Sequence, residues 1–253
     1  MRITIAIAAF IALTAASLSA ADLTALITAA AQAPVQELRP AYAKAGAVDI
    51  TFDSSPNITK RLASGAMPDI LVAQPSTIDE MINAGRAIAS TRTVVGRRGV
   101  GVAVGKGWKG GTGGTMPDVS SADALKTLIL RADSIVYSRG ASGALVENMF
   151  RKLGVAEQVK SKLTAVDRGA EVMQRMGETG HGNQIGFTMT SEIKLGEPGG
   201  GTLAGPLPAT LQVYTNYDAV VMSSAKSPDA AKAFIAAITT PAAHKVFTAA
   251  GWN

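Results

Sequence analysis

Ser54 and Ser55 lie in FDSSPNITKRLASG, immediately ahead of a stretch with helical periodicity, and their hydroxyls can donate to an anion. Ser55 is a good N-cap, Pro56 suits the first helical position, and Gly65 suits the residue past the end. The first amide N–H groups of such a helix have no partner inside it, and the helix dipole is positive there. The stretch YSRGASGALVENMF repeats the arrangement: a strand-like run, 134–138, passes through Arg139 and Gly140 into a helix beginning near Ser142 and Gly143. One serine-capped start taken alone does no more than satisfy its own helix end. Two that converge surround a compact, fully ionised oxyanion with backbone N–H and hydroxyl donors, and need no buried Arg or Lys.

Other chemistry finds little support. GVGVAVGKG contains Gly99, Gly101 and Gly105, but GWKGGTGG follows where a dinucleotide fingerprint requires a helix, and no Walker A sequence occurs. Of the two histidines, His181 falls in a glycine-rich loop and His244 in the final helix; with no GxSxG elbow and no HExxH pair, a hydrolase triad or zinc site has no basis. Asp53, Glu147, Asp167 and Glu171 read as solvated or helix-capping. The chain has no cysteine, which excludes thiolate metal sites, disulfides and cysteine nucleophiles. Its formal net charge of +5 is scattered, with no Lys/Arg run that would suggest nucleic acid.

The elements that position these residues alternate along the chain. Leu23 to Ala29, Val48 to Phe52 and Asp69 to Ala73 read as strands; Pro34 to Ala45, Pro56 to Ser64 and Ser76 to Ala84 read as helices. This βα rhythm argues for an α/β domain with a largely parallel sheet. Arg98 to Val104 reads as a strand and Gly105 to Gly114 as a glycine-rich loop. The rhythm resumes with helix Ala122 to Leu130, strand Ser134 to Ser138 and helix Gly143 to Leu153. After the Gly/Pro-rich EPGGGTLAGPLP come a strand-like run, Leu211 to Ser223, and helices at Pro228 to Thr239 and Pro241 to Ala250. Two similar halves suggest a second lobe, 102–217, inserted into a first made of 22–101 and 218–253, with a ligand held between them.

The N-terminal MRITIAIAAFIALTAASLSAAD places one Arg before an apolar run and small residues, the pattern of a secretory signal peptide over 1–21. A cut before Asp22, or alternatively after Ala20, leaves a mature chain of about 230 residues, enough to bury a large core.

Several segments, in order, resemble those of the periplasmic molybdate-binding proteins of ABC importers. TAAAQAPVQELRPAY is similar to that family's first strand and helix, and FDSSPNITKRLASGAMPDILVAQ to its serine-rich helix start and following strand. RGVGVAVGKG and NYDAVVMSS resemble the two crossing strands, RGASGALVENMFRKLG the second-lobe helix start, and NQIGFTMTSEI the segment that carries a ligand tyrosine. AFIAAITTPAAHKVFTAAGW is similar to the closing pair of helices.

The resemblance implies a two-lobed α/β type 2 periplasmic binding fold, with mixed, mostly parallel sheets and the second lobe inserted in the first. It implies a periplasmic, monomeric binding protein without enzymatic activity or cofactor, which takes a molybdate- or tungstate-like oxyanion and delivers it to an ABC permease in the inner membrane. No metal is implied beyond a metal oxyanion. The family's binding serine falls on Ser55, beside Ser54, and its small second-lobe residue on Ser142, followed by Gly143. A backbone donor falls on Asp167, next to Arg168. The first-loop serine is replaced at Ala31 or Gln32, depending on a one-residue gap, and the ligand tyrosine by Met189. Two lost donors to a dianion cost roughly 1.5–3 kcal/mol each. Gln32, Thr188 or Thr190 could replace them, or the ligand could be sulfate, a phosphonate or a small organic carboxylate. A rival of another class is an exported enzyme on a related two-lobed scaffold. Closure is expected as a hinge motion near Val102 to Val104 and Val213 to Tyr217.

Overall fold

The computed structural model describes residues 23–43, 46–109, 115–139, 142–179 and 182–253. The expected signal peptide, His181, Gly140 and most of the glycine-rich loop's tip lie outside the described residues.

Along the chain, β1 (Leu23–Thr28) passes through a 3-10 turn into α1 (Gln32–Glu37) and α2 (Arg39–Tyr42). Next come β2 (Val48–Asp53), α3 (Ser55–Ala63), β3 (Ile70–Ala73), α4 (Pro75–Asn83) and β4 (Thr93–Arg98). A second series follows: β5 (Val100–Gly105), α5 (Ala122–Arg131), β6 (Ser134–Ser138), α6 (Gly143–Lys152), α7 (Ala156–Val159), β7 (Leu163–Val166), α8 (Gly169–Thr179) and β8 (Gln184–Met189). It ends with α9 (Thr190–Gly200) and β9 (Gly201–Pro206), before β10 (Thr215–Val221), α10 (Pro228–Ile238) and α11 (Pro241–Ala249).

The strands form two five-stranded mixed sheets, ordered β2-β1-β3-β10-β4 and β7-β6-β8-β5-β9. In each, three parallel strands are followed by one antiparallel strand and an edge strand. The chain steps from the first sheet to the second at Gly99, between β4 and β5, and returns through 207–214. The sequence-based lobe limits, after Gly101 and after Tyr217, therefore fall inside β5 and β10. Val102 to Val104, where a hinge is expected, are buried within β5. At the actual crossing the Gln212 side chain pairs with both backbone groups of Val100, so the two connections are hydrogen-bonded to each other.

Both faces of the central strands are covered, which is why they read as nearly continuous apolar runs. In β1, Leu23, Ala25 and Ile27 pack with Val35, Phe234 and Phe247, while Leu26 on the opposite face packs with Ile58, Leu62 and Ile78. In the second lobe Val100, Val102 and Val104 join Leu125, Phe150 and Phe187, and Ala103 meets Val172 and Met173 on the other side. Burial of each such Leu, Ile or Phe contributes about 1.5–3 kcal/mol.

Three local readings change. The helix expected over 34–45 is broken into α1 and α2, because Pro40 supplies no N–H and starts a new turn. The run from Leu211 to Ser223 is a strand only over β10. The Gly/Pro-rich segment after Glu197 holds the end of α9, with Pro198 inside it, and then β9, an edge strand beside β5.

Candidate functional site

Parallel βα units bring strand carboxyl ends and helix N-termini to one edge of a sheet, where ligands bind. In the first lobe that edge carries Thr28 at the end of β1 and the starts of α3 and α4. Facing it are Met189 and Glu192 of the second lobe, across a cavity of ≈ 600 Å³ lined also by Ser54, Ser55, Gln74, Ser76, Thr77 and Arg98. A second cavity of ≈ 700 Å³ shares Arg98 and Glu192 and is lined by Gln32, Ala170, Ser191 and Trp252.

The helix α3 starts one residue earlier than its capping chemistry predicts: Ser54 is the N-cap, with extended backbone, and Ser55 is the first helical residue. Neither serine's side chain caps the helix. Asp53, just ahead of the helix, accepts from Ser54 N and Asn57 Nδ2, both at 2.8 Å, and from Arg61 Nε at 2.7 Å, and takes none of the N–H groups of α3 itself. The Arg61 bond first, then the Asn57 bond, holds its carboxyl below the usual Asp range. The two serine hydroxyls are therefore left at the cavity wall, while Asp53 is turned onto its own helix. Gly65, at φ +91°, ends the helix as expected.

The second lobe presents a different edge. Glu171 accepts from the backbone N–H of Asp167 at 3.2 Å and of Arg168 at 3.3 Å, and from Arg168 Nε at 2.7 Å. Its carboxyl is held low chiefly by the Arg168 side-chain bond. The Asp167 N–H expected to serve a ligand is thus satisfied within the protein, and the side chains of Asp167 and Arg168 are turned outward to solvent. Glu192 closes the start of α9 in the same way, accepting from Met189 N at 3.3 Å and from the Thr188 hydroxyl. A Cβ on Gly169 would overlap the Glu192 carboxylate, which would have to turn aside to admit it.

The ten expected residues accordingly separate. Ser54, Ser55 and Met189 come together at one cavity, and Gln32 lines the other. Of the two alternatives for the first-loop position, Ala31 is fully buried in the first-lobe core and Gln32 lines the second cavity. Thr190 is corrected: buried, its hydroxyl reaches the carbonyls of Gly251 and Gly99 and binds α9 to the C-terminal segment and the crossing. Thr188 is likewise engaged by Glu192. Ser142 is the N-cap of α6 and is buried; Gly143 packs so closely on β6 that a Cβ would lie 2.8 Å from the Ser138 carbonyl. Neither lines the two cavities.

The residue that sequence reasoning missed is Arg98. It ends β4, is 8% exposed, and lines both cavities. Its Nη2 donates to Ser191 Oγ, its Nε has no acceptor, and its guanidinium lies 6.0 Å from the Trp252 ring. It forms no ion pair among the described residues. The cage without formal countercharge is therefore revised: the cleft holds one buried cation. The α4 start was legible, since QPST repeats the Pro-and-hydroxyl pattern of SSPN, whereas nothing local marked one arginine of RRG as buried.

Two halves of this topology, joined at one edge around a polar cleft, define a two-lobed α/β protein of the type 2 periplasmic binding fold. A family model described as bacterial extracellular solute-binding protein matches residues 23–253, and the chain belongs to that family. Among solved structures it is similar to the substrate-binding domain of a putative molybdenum ABC transporter from Clostridium difficile, with TM-score 0.72, 16% identity, and 92% of this chain and 98% of that one covered. It is also similar to the periplasmic molybdate-binding protein of Azotobacter vinelandii, with TM-score 0.64, 16% identity, and 92% and 99% coverage. In sequence it is 26% identical over 239 residues to an aconitate isomerase from a Pseudomonas species, covering 90% of this chain and 86% of that protein.

Proposed function

We propose that the chain is a periplasmic, monomeric binding protein that holds a small anion between its lobes and delivers it to an ABC permease in the inner membrane. The observation that carries this reading is the cleft: exposed serine hydroxyls at the start of α3, a second helix start at α4, and a buried cation, all on one cavity. Each favours negative charge. The molybdate-binding protein of like fold supports an anion of that kind; the lost tyrosine and the engaged Thr188 and Thr190 widen the field to tungstate, sulfate, phosphonates and organic carboxylates. A thermal-shift panel of these anions tests the reading. A ligand at 100 times its Kd raises stability by about 2.7 kcal/mol, and a panel in which no anion shifts the transition rejects it.

A second reading is favoured by one feature, the half-buried Glu192 carboxylate lining the same cavity as Arg98, together with the resemblance to an aconitate isomerase. Glu192 would then act as a base, taking a proton from a carbon beside an alkene and returning it at the far end of the allylic system. Exchange of that carbon-bound proton in D2O, followed by NMR, distinguishes isomerisation from binding alone.

A further inference from the structure

We propose that Arg98 anchors the ligand and selects an organic polycarboxylate. This rests on the small-anion reading above and narrows it to one class of anion. The guanidinium is 8% exposed at the seam of the two cavities, one residue from the crossing at Gly99, and its only described hydrogen bond runs across to Ser191 in the other lobe. Its Nε–H is sealed from solvent with no acceptor. A buried charge without a counter-charge destabilises a fold, so the ligand-free protein holds this group in a state that an entering anion relieves. Guanidinium presents a planar fork that matches a carboxylate through two parallel N–H···O bonds, a geometry Lys cannot reproduce.

The layout favours several carboxylates over one tetrahedral centre. The remaining donors belong to other elements: the hydroxyls of Ser54, Ser55 and Ser76, at the starts of α3 and α4, line only the ≈ 600 Å³ cavity, whereas Arg98 lines that cavity and its neighbour. Arg98 and the helix starts, on different elements, each offer a place for one negative charge. A short carbon chain carrying two or three carboxylates spans both, with one carboxylate on Arg98 and another on the α3 start. Glu192, which lines the same cavities as Arg98, disfavours a dianion packed into one point beside it and tolerates a ligand whose second charge is turned away.

The test uses the whole secreted protein, stripped of bound ligand by unfolding and refolding, as wild type, Arg98→Met and Arg98→Lys. Calorimetry and thermal shift are read with citrate, cis-aconitate, succinate, acetate, phosphoenolpyruvate, molybdate and sulfate. The tri- and dicarboxylates are expected to bind wild type; Arg98→Met weakens them by about 100-fold and Arg98→Lys by about tenfold, as loss of a charge-assisted bidentate contact requires. Ligand-free Arg98→Met is expected to melt no lower than wild type, because the unpaired charge is gone. Unchanged carboxylate affinity in Arg98→Met overturns the proposal; if that variant does not fold, unchanged affinity in Arg98→Lys does so. A wild type that binds molybdate, sulfate or the phosphorylated acid in preference to the carboxylates also overturns it, while leaving the small-anion reading intact. Silence toward every anion rejects both.

Discussion

The two lobes have the same strand plan and opposite faces toward the cleft. In the first lobe the acid nearest the cleft, Asp53, is bound by Arg61 and Asn57, so the hydroxyls of Ser54 and Ser55 stay available. In the second, Glu171 and Glu192 each fold back on the start of their own helix and take the N–H groups a ligand would need. Equivalent topology thus gives one donor surface and one acid-capped surface. Helix starts attract anions only while no side chain of the same chain has reached them first. The first lobe and Arg98 are then the receiving surface, and the second lobe acts as the cover.

The largest expected effect strikes what fixes the second lobe's acids in place. The helices α8 and α9 touch through glycines, and a Cβ on Gly200 would lie 2.1 Å from the Met173 carbonyl, a backbone atom that cannot turn aside. Gly200→Ala is expected to lose about 3 kcal/mol in chemical denaturation. A loss below about 1 kcal/mol would show that the acid-capped surface is loosely held and that the contrast between lobes is weaker than drawn here.

On the first-lobe side, Asp69 ties β1 to β3 and to the turn before α10. Its carboxylate accepts from the Thr24 amide and hydroxyl, both at 2.8 Å, and from Lys226 N at 2.9 Å. Burial raises its pKa, but the Thr24 and Lys226 bonds outweigh this and the group titrates below the usual Asp range. Because the folded value is the lower one, its contribution is complete above the unfolded Asp value, about pH 4, and is lost as pH falls through the folded value. Asp69→Asn should cost about 2 kcal/mol at pH 7, and the gap to wild type should narrow in acid. A constant gap from pH 7 to pH 3 would remove this carboxylate from the account.

How far the sequence carried follows from the range of each signal. Amphipathic period and turn chemistry are local, so the βα rhythm, the α6 start at Gly143 and the end of α3 at Gly65 could be read directly. The α3 start moved by one residue: Ser54, not Ser55, is the N-cap, and its side chain does not close the helix. What failed was tertiary. Arg98 is buried by Ser191 and Trp252, far along the chain, and the hydroxyl of Thr190 is claimed by Gly251. Resemblance placed Asp167 near a ligand because family position transfers, and Thr190 was a replacement for a lost donor; the partners that occupy these groups could not be read from either argument.

If the first lobe receives the ligand, replacing Ser54 and Ser55 together by Ala should weaken the anion that binds best by about tenfold, the size of two net hydrogen bonds. Calorimetry on folded protein decides, and an effect smaller than twofold would shift the receiving role to Arg98 and α4.

The smallest effect discriminates most. Glu192 faces the same cavity as Arg98, so in a binding protein its charge opposes the ligand, and Glu192→Gln should tighten anion binding about three- to fivefold, as expected for a partly screened charge contact of about 1 kcal/mol. The Gln side chain keeps one oxygen to accept from Met189 N, so the start of α9 stays capped. In an isomerase the same change removes the base, and carbon-bound proton exchange stops while affinity still rises. Weaker binding would instead mean that the carboxylate contacts a ligand donor, which makes the second lobe a participant in recognition and ends the division between receiving lobe and cover.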